Sequence, residues 1–236
     1  MRIGSLFSGI GGLELGLEWA NVGETVWQVE QDAYCQRVLA KHWPNATRYD
    51  DVRTVGAHNL ESVDVICGGF PCQDVSKAGK RVGLGGARSG LWFEFARIVG
   101  EMAPEYVVVE NVTGLFDRGF GDVLGALAAF GYDAEWSVIS ACSLGAPHTR
   151  ERVFVVAYAQ GERPGQLRRV GSPSPRQPQR HLCWPSNEPP VARMVDGVPY
   201  RSQRCIALGN AVVPQCAEVV GRRLLAIHAE RCGVAA

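Results

Sequence analysis

The chain has no CxxC pair, no internal repeat and no run of roughly 20 uninterrupted apolar residues. A cysteine-built zinc site, a solenoid and a membrane-spanning helix are therefore disfavoured, and no metal is expected. Net charge is also lacking: 24 basic side chains balance 24 acidic ones, which argues neither for nor against a nucleic-acid partner. The opening MRIGSLFSGIGG carries one basic residue and breaks into glycines before any long apolar stretch, unlike a secretory signal. A soluble, cytoplasmic protein is expected, with its eight cysteines reduced. What is present is 236 residues of 46% hydrophobic composition, enough to bury the core of one domain with a small appendage.

Short β-rich runs alternate with helical patterns. RIGSLF (2–7), TVWQVE (25–30), VDVICGG (63–69), EYVVVEN (105–111), AEWSVISA (134–141) and RVFVVAYA (152–159) read as strands, several of them apolar on both faces as central parallel strands require. Helices are expected near 12–20, 32–42, 89–102 and 120–130, and another starting near Pro214 after a turn through Gly209 and Asn210. This alternation predicts an α/β fold with a mostly parallel, doubly wound sheet. The texture changes between Gln160 and Pro190, where seven of the thirteen prolines fall and no period persists. The expected organisation is an α/β domain over 1–159, an insertion over 160–204, and a C-terminal segment, 205–236, that returns to the first domain.

In such sheets ligands bind outside the carboxyl ends of the strands. The first strand runs into FSGIGG, whose Gly9, Gly11 and Gly12 let the backbone approach a ligand and present amides at a helix start. A dinucleotide fingerprint would have its third glycine at position 14, which is Glu14, so a nicotinamide cofactor is disfavoured. Glu30, about 20 residues beyond the glycines, is placed to accept hydrogen bonds from a ribose diol. Asp50 and Asp51 follow near another strand end, and the set favours a nucleoside-bearing cofactor. Cys67 lies inside its strand and reads as a small buried hydrophobe. Cys72 differs: Pro71 stops the strand, and Gln73, Asp74 and Ser76 are polar, so its thiol is expected to face the cleft. Glu110, ending VVVEN, arrives at the same edge, where partial burial favours its protonated form.

At this point the chain resembles the C5-cytosine-specific DNA methyltransferases. LFSGIGGLELGLEWA, GGFPCQDVSKAGK, ENVTGL, GAPHTRERVFVVA and ALGNAVVPQ match that family's ordered motifs across nearly the whole chain outside 160–200. The resemblance implies a Rossmann-like methyltransferase fold, S-adenosylmethionine as cofactor with S-adenosylhomocysteine as product, and a flipped cytosine in double-stranded DNA as substrate. It implies that Cys72 adds covalently at C6, that Glu110 holds N3 and the exocyclic amine, and that Arg152 contacts the ring oxygen. Arg150 would support the cysteine loop or a DNA phosphate. Cofactor contacts are implied for Phe7, Ser8, Gly9, Gly11, Gly12, Glu30, Asp51, Pro71, Leu91, Asn210 and Val212. DNA contacts are expected from Ser76, Lys80, Arg81, Arg168 and Arg169.

The glycine-rich segment after Cys72, with Lys77, Lys80, Arg81 and Arg88, suits a loop that closes over DNA as its cations meet phosphates. The chain departs from the family in the recognition region, which here spans only 160–204 and carries an excess of five positive charges. That segment either reads sequence or binds phosphate without discrimination. His148 stands where many relatives have glutamine. The small size suggests a phage or mobile-element enzyme, in a restriction-modification setting, acting as a monomer on bacterial or phage DNA. Two alternatives are a tRNA-methylating member of the same family, against which the lack of a Cys-Phe-Thr signature speaks, and a non-catalytic DNA-binding regulator.

Overall fold

The computed structural model describes residues 1–71, 90–117, 119–161 and 201–233, the side chain of Arg201 excepted. In chain order the elements are β1 (Arg2–Leu6), α1 (Gly12–Trp19), β2 (Glu24–Val29), α2 (Ala33–His42), β3 (Thr47–Tyr49), β4 (Val65–Gly68), α3 (Gly90–Met102), β5 (Tyr106–Val112), α4 (Phe120–Ala129), β6 (Tyr132–Ser140), β7 (Glu151–Ala159), α5 (Arg201–Asn210) and α6 (Pro214–Arg231). The seven strands form one sheet in the order β3-β2-β1-β4-β5-β7-β6. Only β7 runs against its neighbours; the other pairings along β3 to β5 are parallel. This is an α/β Rossmann-like fold.

The strand composition explains the order. VICG of β4 and the YVVVEN portion of β5 are buried on both faces, as central positions demand. β6 mixes exposed and half-buried residues and forms an edge, with Trp136 half-exposed against Phe120. One face of the sheet carries Trp27, Val29, Ile66 and Val107 against Trp92, Phe95 and Ile98 of α3. The other carries Ile3, Val65, Val108 and Phe154 against Leu13 and Leu17 of α1 and Val220 and Leu224 of α6. Leu17 is fully buried, and truncating such a side chain to alanine typically costs about 2–5 kcal/mol.

The C-terminal region differs from the sequence expectation. Gly209 and Asn210 are the last two residues of α5 and not a turn; the chain turns over 211–213, and Pro214 then opens α6 as its first-turn proline. RSQRCIALGN was unreadable as a helix because it buries only Ala207 among its described side chains, leaving no apolar stripe. A short third strand, TRY, precedes Asp50 and Asp51, and β6 begins two residues earlier than AEWSVISA suggested. Among the described residues no helix is long and apolar enough to cross a membrane.

Candidate active site

Parallel strands β1, β2, β3, β4 and β5 all end at one edge of the sheet, which gathers the predicted residues there. Beyond β1 the chain turns through Phe7, Gly9 and Gly11 with φ of 56°, 56° and 86°. The left-handed conformation costs glycine little, and here it presents the amides of the loop and of the first turn of α1. Gly11 is the N-cap residue and no side chain caps the helix. The loop is tied to β2: Ser8 N donates to Val29 O at 3.2 Å, and Gly9 N donates to Glu30 Oε2 at 2.7 Å. Glu30 Oε1 accepts from Asp32 N at 2.8 Å. Each carboxylate oxygen keeps a lone pair for a further donor, and an added Cβ at Gly9 would meet nothing within 4 Å. A glycine loop open on its outer side, beside a carboxylate with spare acceptors, fits a nucleoside cofactor bearing a ribose diol.

Two further elements reach this loop. Gly12 lies so close to the Val212 carbonyl that a Cβ there would overlap it, so the segment joining α5 to α6 closes directly on the start of α1. Val212 is thereby brought to the glycine loop, while Asn210 is exposed at the end of α5. Asp51 is placed beyond β3, where its carboxylate caps a short 3-10 turn and pairs with Arg53, accepting from Nη2 at 2.9 Å. Hydrogen bonding to Arg53 holds that carboxyl below the usual carboxylate range. Leu91 packs in the first turn of α3 against the core, and Pro71 follows buried Phe70.

The second half of the site forms at the ends of β5 and β7. Glu110 pairs in register with Phe154 and Val112 with Arg152, so Glu110 and Arg152 share a face two positions apart across the antiparallel ladder. Arg152 Nε lies 3.0 Å from Glu110 Oε1. Glu110 is 8% exposed, and burial pushes its carboxyl up to about 7 against the opposing pull of Arg152 and Arg150. Gly69, at the end of β4, faces Glu110 so closely that any side chain there would meet Oε2. Arg150 directs Nη2 to Gly209 O at 2.9 Å and Ala211 O at 2.6 Å, bracing the end of α5. Cys216 of α6 is buried nearby, its thiol pushed up to about 11 chiefly by burial.

The structure thus brings Phe7, Ser8, Gly9, Gly11, Gly12, Glu30 and Val212 to one part of the edge and Glu110, Arg150 and Arg152 to the neighbouring part. Cys72, Ser76, Lys80, Arg81, Arg168 and Arg169 lie outside the described residues. One contributor escaped the sequence reading. Asn111, 3% exposed, donates from Nδ2 to Phe70 O at 3.1 Å, tying the end of β5 to the segment that leads into Cys72. Its position next to Glu110 was the available signal. A cavity of about 600 Å³ lined by Glu18, Glu24 and Trp43 sits at the amino end of β2, away from this edge.

Sheet order, glycine loop and strand-end carboxylates define a Rossmann-like fold of the kind that methyltransferases share. Residues 1–196 match the C-5 cytosine-specific DNA methylase family, and the chain belongs to that family. Among its relatives, the Type II methyltransferase M.Bsp6I of Bacillus sp. (strain RFL6) is 34% identical over 164 residues, 67% of this chain and 52% of that protein. M.AquIA of Picosynechococcus sp., also a Type II methyltransferase, is 33% identical over 179 residues, 67% of this chain and 72% of the relative. A candidate DNA modification methyltransferase encoded within an E. coli prophage has a solved structure that superposes with a TM-score of 0.57 at 28% identity, covering 67% of this chain and 47% of that one. The chain spans about half the length of several of its relatives.

Proposed function

We propose that this chain is a DNA (cytosine-5)-methyltransferase that acts through a covalent Cys72 adduct on a flipped cytosine, with double-stranded DNA as its partner. The carrying observation is the buried Glu110 and Arg152 pair at the end of β5, beside the strand that leads through Pro71 into Cys72. Family membership supports the DNA substrate and favours neither the tRNA nor the regulator reading.

S-adenosylmethionine, when bound, supplies an activated methyl group. Gly9, Gly11 and Gly12 would hold it through backbone amides, Glu30 through the ribose diol, and Val212 from the C-terminal side. Cytosine C5 is too weak a nucleophile to take a methyl group unaided. The Cys72 thiolate therefore adds to C6, and the displaced electron pair makes C5 an enamine-like nucleophile. Glu110 carries a proton to N3 as negative charge develops there. Its burial suits that task, because a carboxyl displaced to about 7 still holds a proton at neutral pH. Arg152 fixes the Glu110 carboxyl and offers its remaining N–H groups to the ring oxygen. After C5 takes the methyl group, a base removes the C5 proton, the double bond re-forms and Cys72 leaves as thiolate. The 160–204 segment is assigned to DNA contact and 205–236 to completing the cofactor site.

The test is a methyl-transfer assay on duplex DNA and on tRNA, with Cys72→Ala alongside. Transfer to DNA alone, abolished in the variant while cofactor affinity stays within a few-fold, is expected. Duplex DNA carrying 5-fluorocytosine should trap Cys72, since fluorine cannot leave as a proton does. Undiminished transfer by Cys72→Ala overturns the mechanism.

A further inference from the structure

Directly behind the glycine loop lies a set of polar groups that the reaction above does not use. Glu14, in the first turn of α1, is 0% exposed, and neither of its carboxyl oxygens has a hydrogen-bond partner. Gln28 of β2 is equally buried, with both amide atoms unpartnered. Trp27 and Val29 belong to the core on the α3 face, so alternation turns Gln28 to the α1 face, where it pairs in register with Ser5. Ser5 pairs in turn with Cys67 of β4. Ser5 and Ser8 lie near enough to Glu14 to favour its ionised form, but neither reaches it with hydrogen-bond geometry; instead Ser8 Oγ donates to Ser5 Oγ at 2.9 Å.

Four unpartnered polar atoms on two residues, enclosed with two hydroxyls, are rare in a protein interior unless ordered water joins them. A buried water typically makes about three hydrogen bonds, which these groups can supply. We propose that Glu14, Gln28 and Ser5 enclose a buried water site behind the Phe7–Gly12 loop, and that Glu14 acts through it as a positioning residue for the cofactor. This rests on reading that loop as the cofactor loop.

The route to the cofactor is short. Ser8 is both a loop residue and the donor to Ser5, so the orientation of its hydroxyl reports the state of the carboxyl. While Glu14 is neutral, the Ser8 to Ser5 bond holds the loop. On ionisation, the carboxylate draws the Ser8 hydroxyl and the water towards itself, and the loop loses that tie. Burial pushes the Glu14 carboxyl up to about 7, which puts this change within an accessible range. The titratable groups acting on it are Glu18 of α1, whose charge opposes ionisation, and Cys67, whose thiol is itself pushed up by burial and by Glu14.

The experiment uses the full chain in two readouts. Oxygen-17 relaxation dispersion, recorded without cofactor, should detect a long-lived internal water that Glu14→Leu removes. Calorimetry should show S-adenosylmethionine affinity of the wild type falling roughly fivefold between about pH 6 and about pH 8, within the roughly tenfold limit that a one-unit change in the Glu14 pKa on binding sets. Glu14→Gln, which keeps polar atoms but cannot ionise, should retain the water and give a flat profile. Glu110→Gln should keep the wild-type profile, because that carboxyl faces the base. Absence of a long-lived water in the wild type, or the same pH profile in wild type and Glu14→Gln, overturns the proposal. A chain that shows the water yet binds no cofactor at any pH overturns the positioning role and the loop assignment together, leaving the water site standing.

Discussion

Arg152 and Glu110 meet at 3.0 Å on one face of two antiparallel strands, and yet burial leaves the carboxyl raised and not lowered. The arginine orients the acid without forcing it to stay ionised. That balance carries the assignment of Glu110 as a proton-holding contact to the base.

Glu110→Gln should lower methyl transfer by about 10²–10⁴-fold, the usual worth of a positioned acid, while cofactor affinity is retained. The same variant should change how stability depends on pH. Burial pushes the folded carboxyl up to about 7 from an ordinary 4.5, so between those values the folded state holds a proton that the unfolded state has released. Stability attributable to this group is therefore fully present below the ordinary value, falls as pH rises towards about 7, and is flat above it. Denaturant titrations across that interval should show the slope in wild type and its reduction in Glu110→Gln.

Glu30→Ala should weaken S-adenosylmethionine binding by about 1–3 kcal/mol, as expected when hydrogen-bonding groups lose their acceptor. Because Glu30 also accepts from Gly9 N and Asp32 N, melting temperature should fall too. Calorimetry with wild-type affinity would remove Glu30 from the cofactor site.

Most of the sheet was legible because buried parallel strands are written as short, mostly apolar runs, and RIGSLF, VDVICGG and EYVVVEN carry that pattern. The glycine loop and Glu30 were legible from spacing alone. The partners of Arg150 were not, since Gly209 and Ala211 lie about 60 residues away and accept through backbone carbonyls that any sequence would offer. Nor was the burial of Glu14, which follows from α1 packing against the sheet beside Ser5 and Cys67. In the linear sequence Glu14 registered only as the residue that breaks a dinucleotide fingerprint.

Gly12→Ala should destabilise the fold by about 1–3 kcal/mol, the range for forcing a methyl group into a filled site. Its Cβ would overlap the Val212 carbonyl, which belongs to the backbone and cannot rotate aside. Cofactor affinity should drop in parallel. Chemical denaturation and calorimetry check both, and unchanged values would contradict the close approach.

Replacing Arg168 and Arg169 together with alanine should weaken DNA binding and flatten its salt dependence, with the slope falling by up to about 0.9 for each phosphate no longer neutralised. If both arginines meet phosphates, the methylated sequence stays the same; if either reads a guanine edge, discrimination relaxes at one position. Binding at several salt concentrations, with bisulfite sequencing of the methylated DNA, separates the two. Unchanged affinity and slope would exclude these arginines from the DNA interface.

The contact between Gly12 and Val212 also bears on the order of events during translation. Gly12 is synthesised some 200 residues before the carbonyl against which it rests. Until then α1 lacks the covering that α6 gives to Leu13 and Leu17, and the loop before it lacks its floor. A nascent chain stalled within the proline-rich stretch should therefore remain sensitive to protease around α1 and retain no cofactor, gaining protection and cofactor binding together once α6 has cleared the exit tunnel.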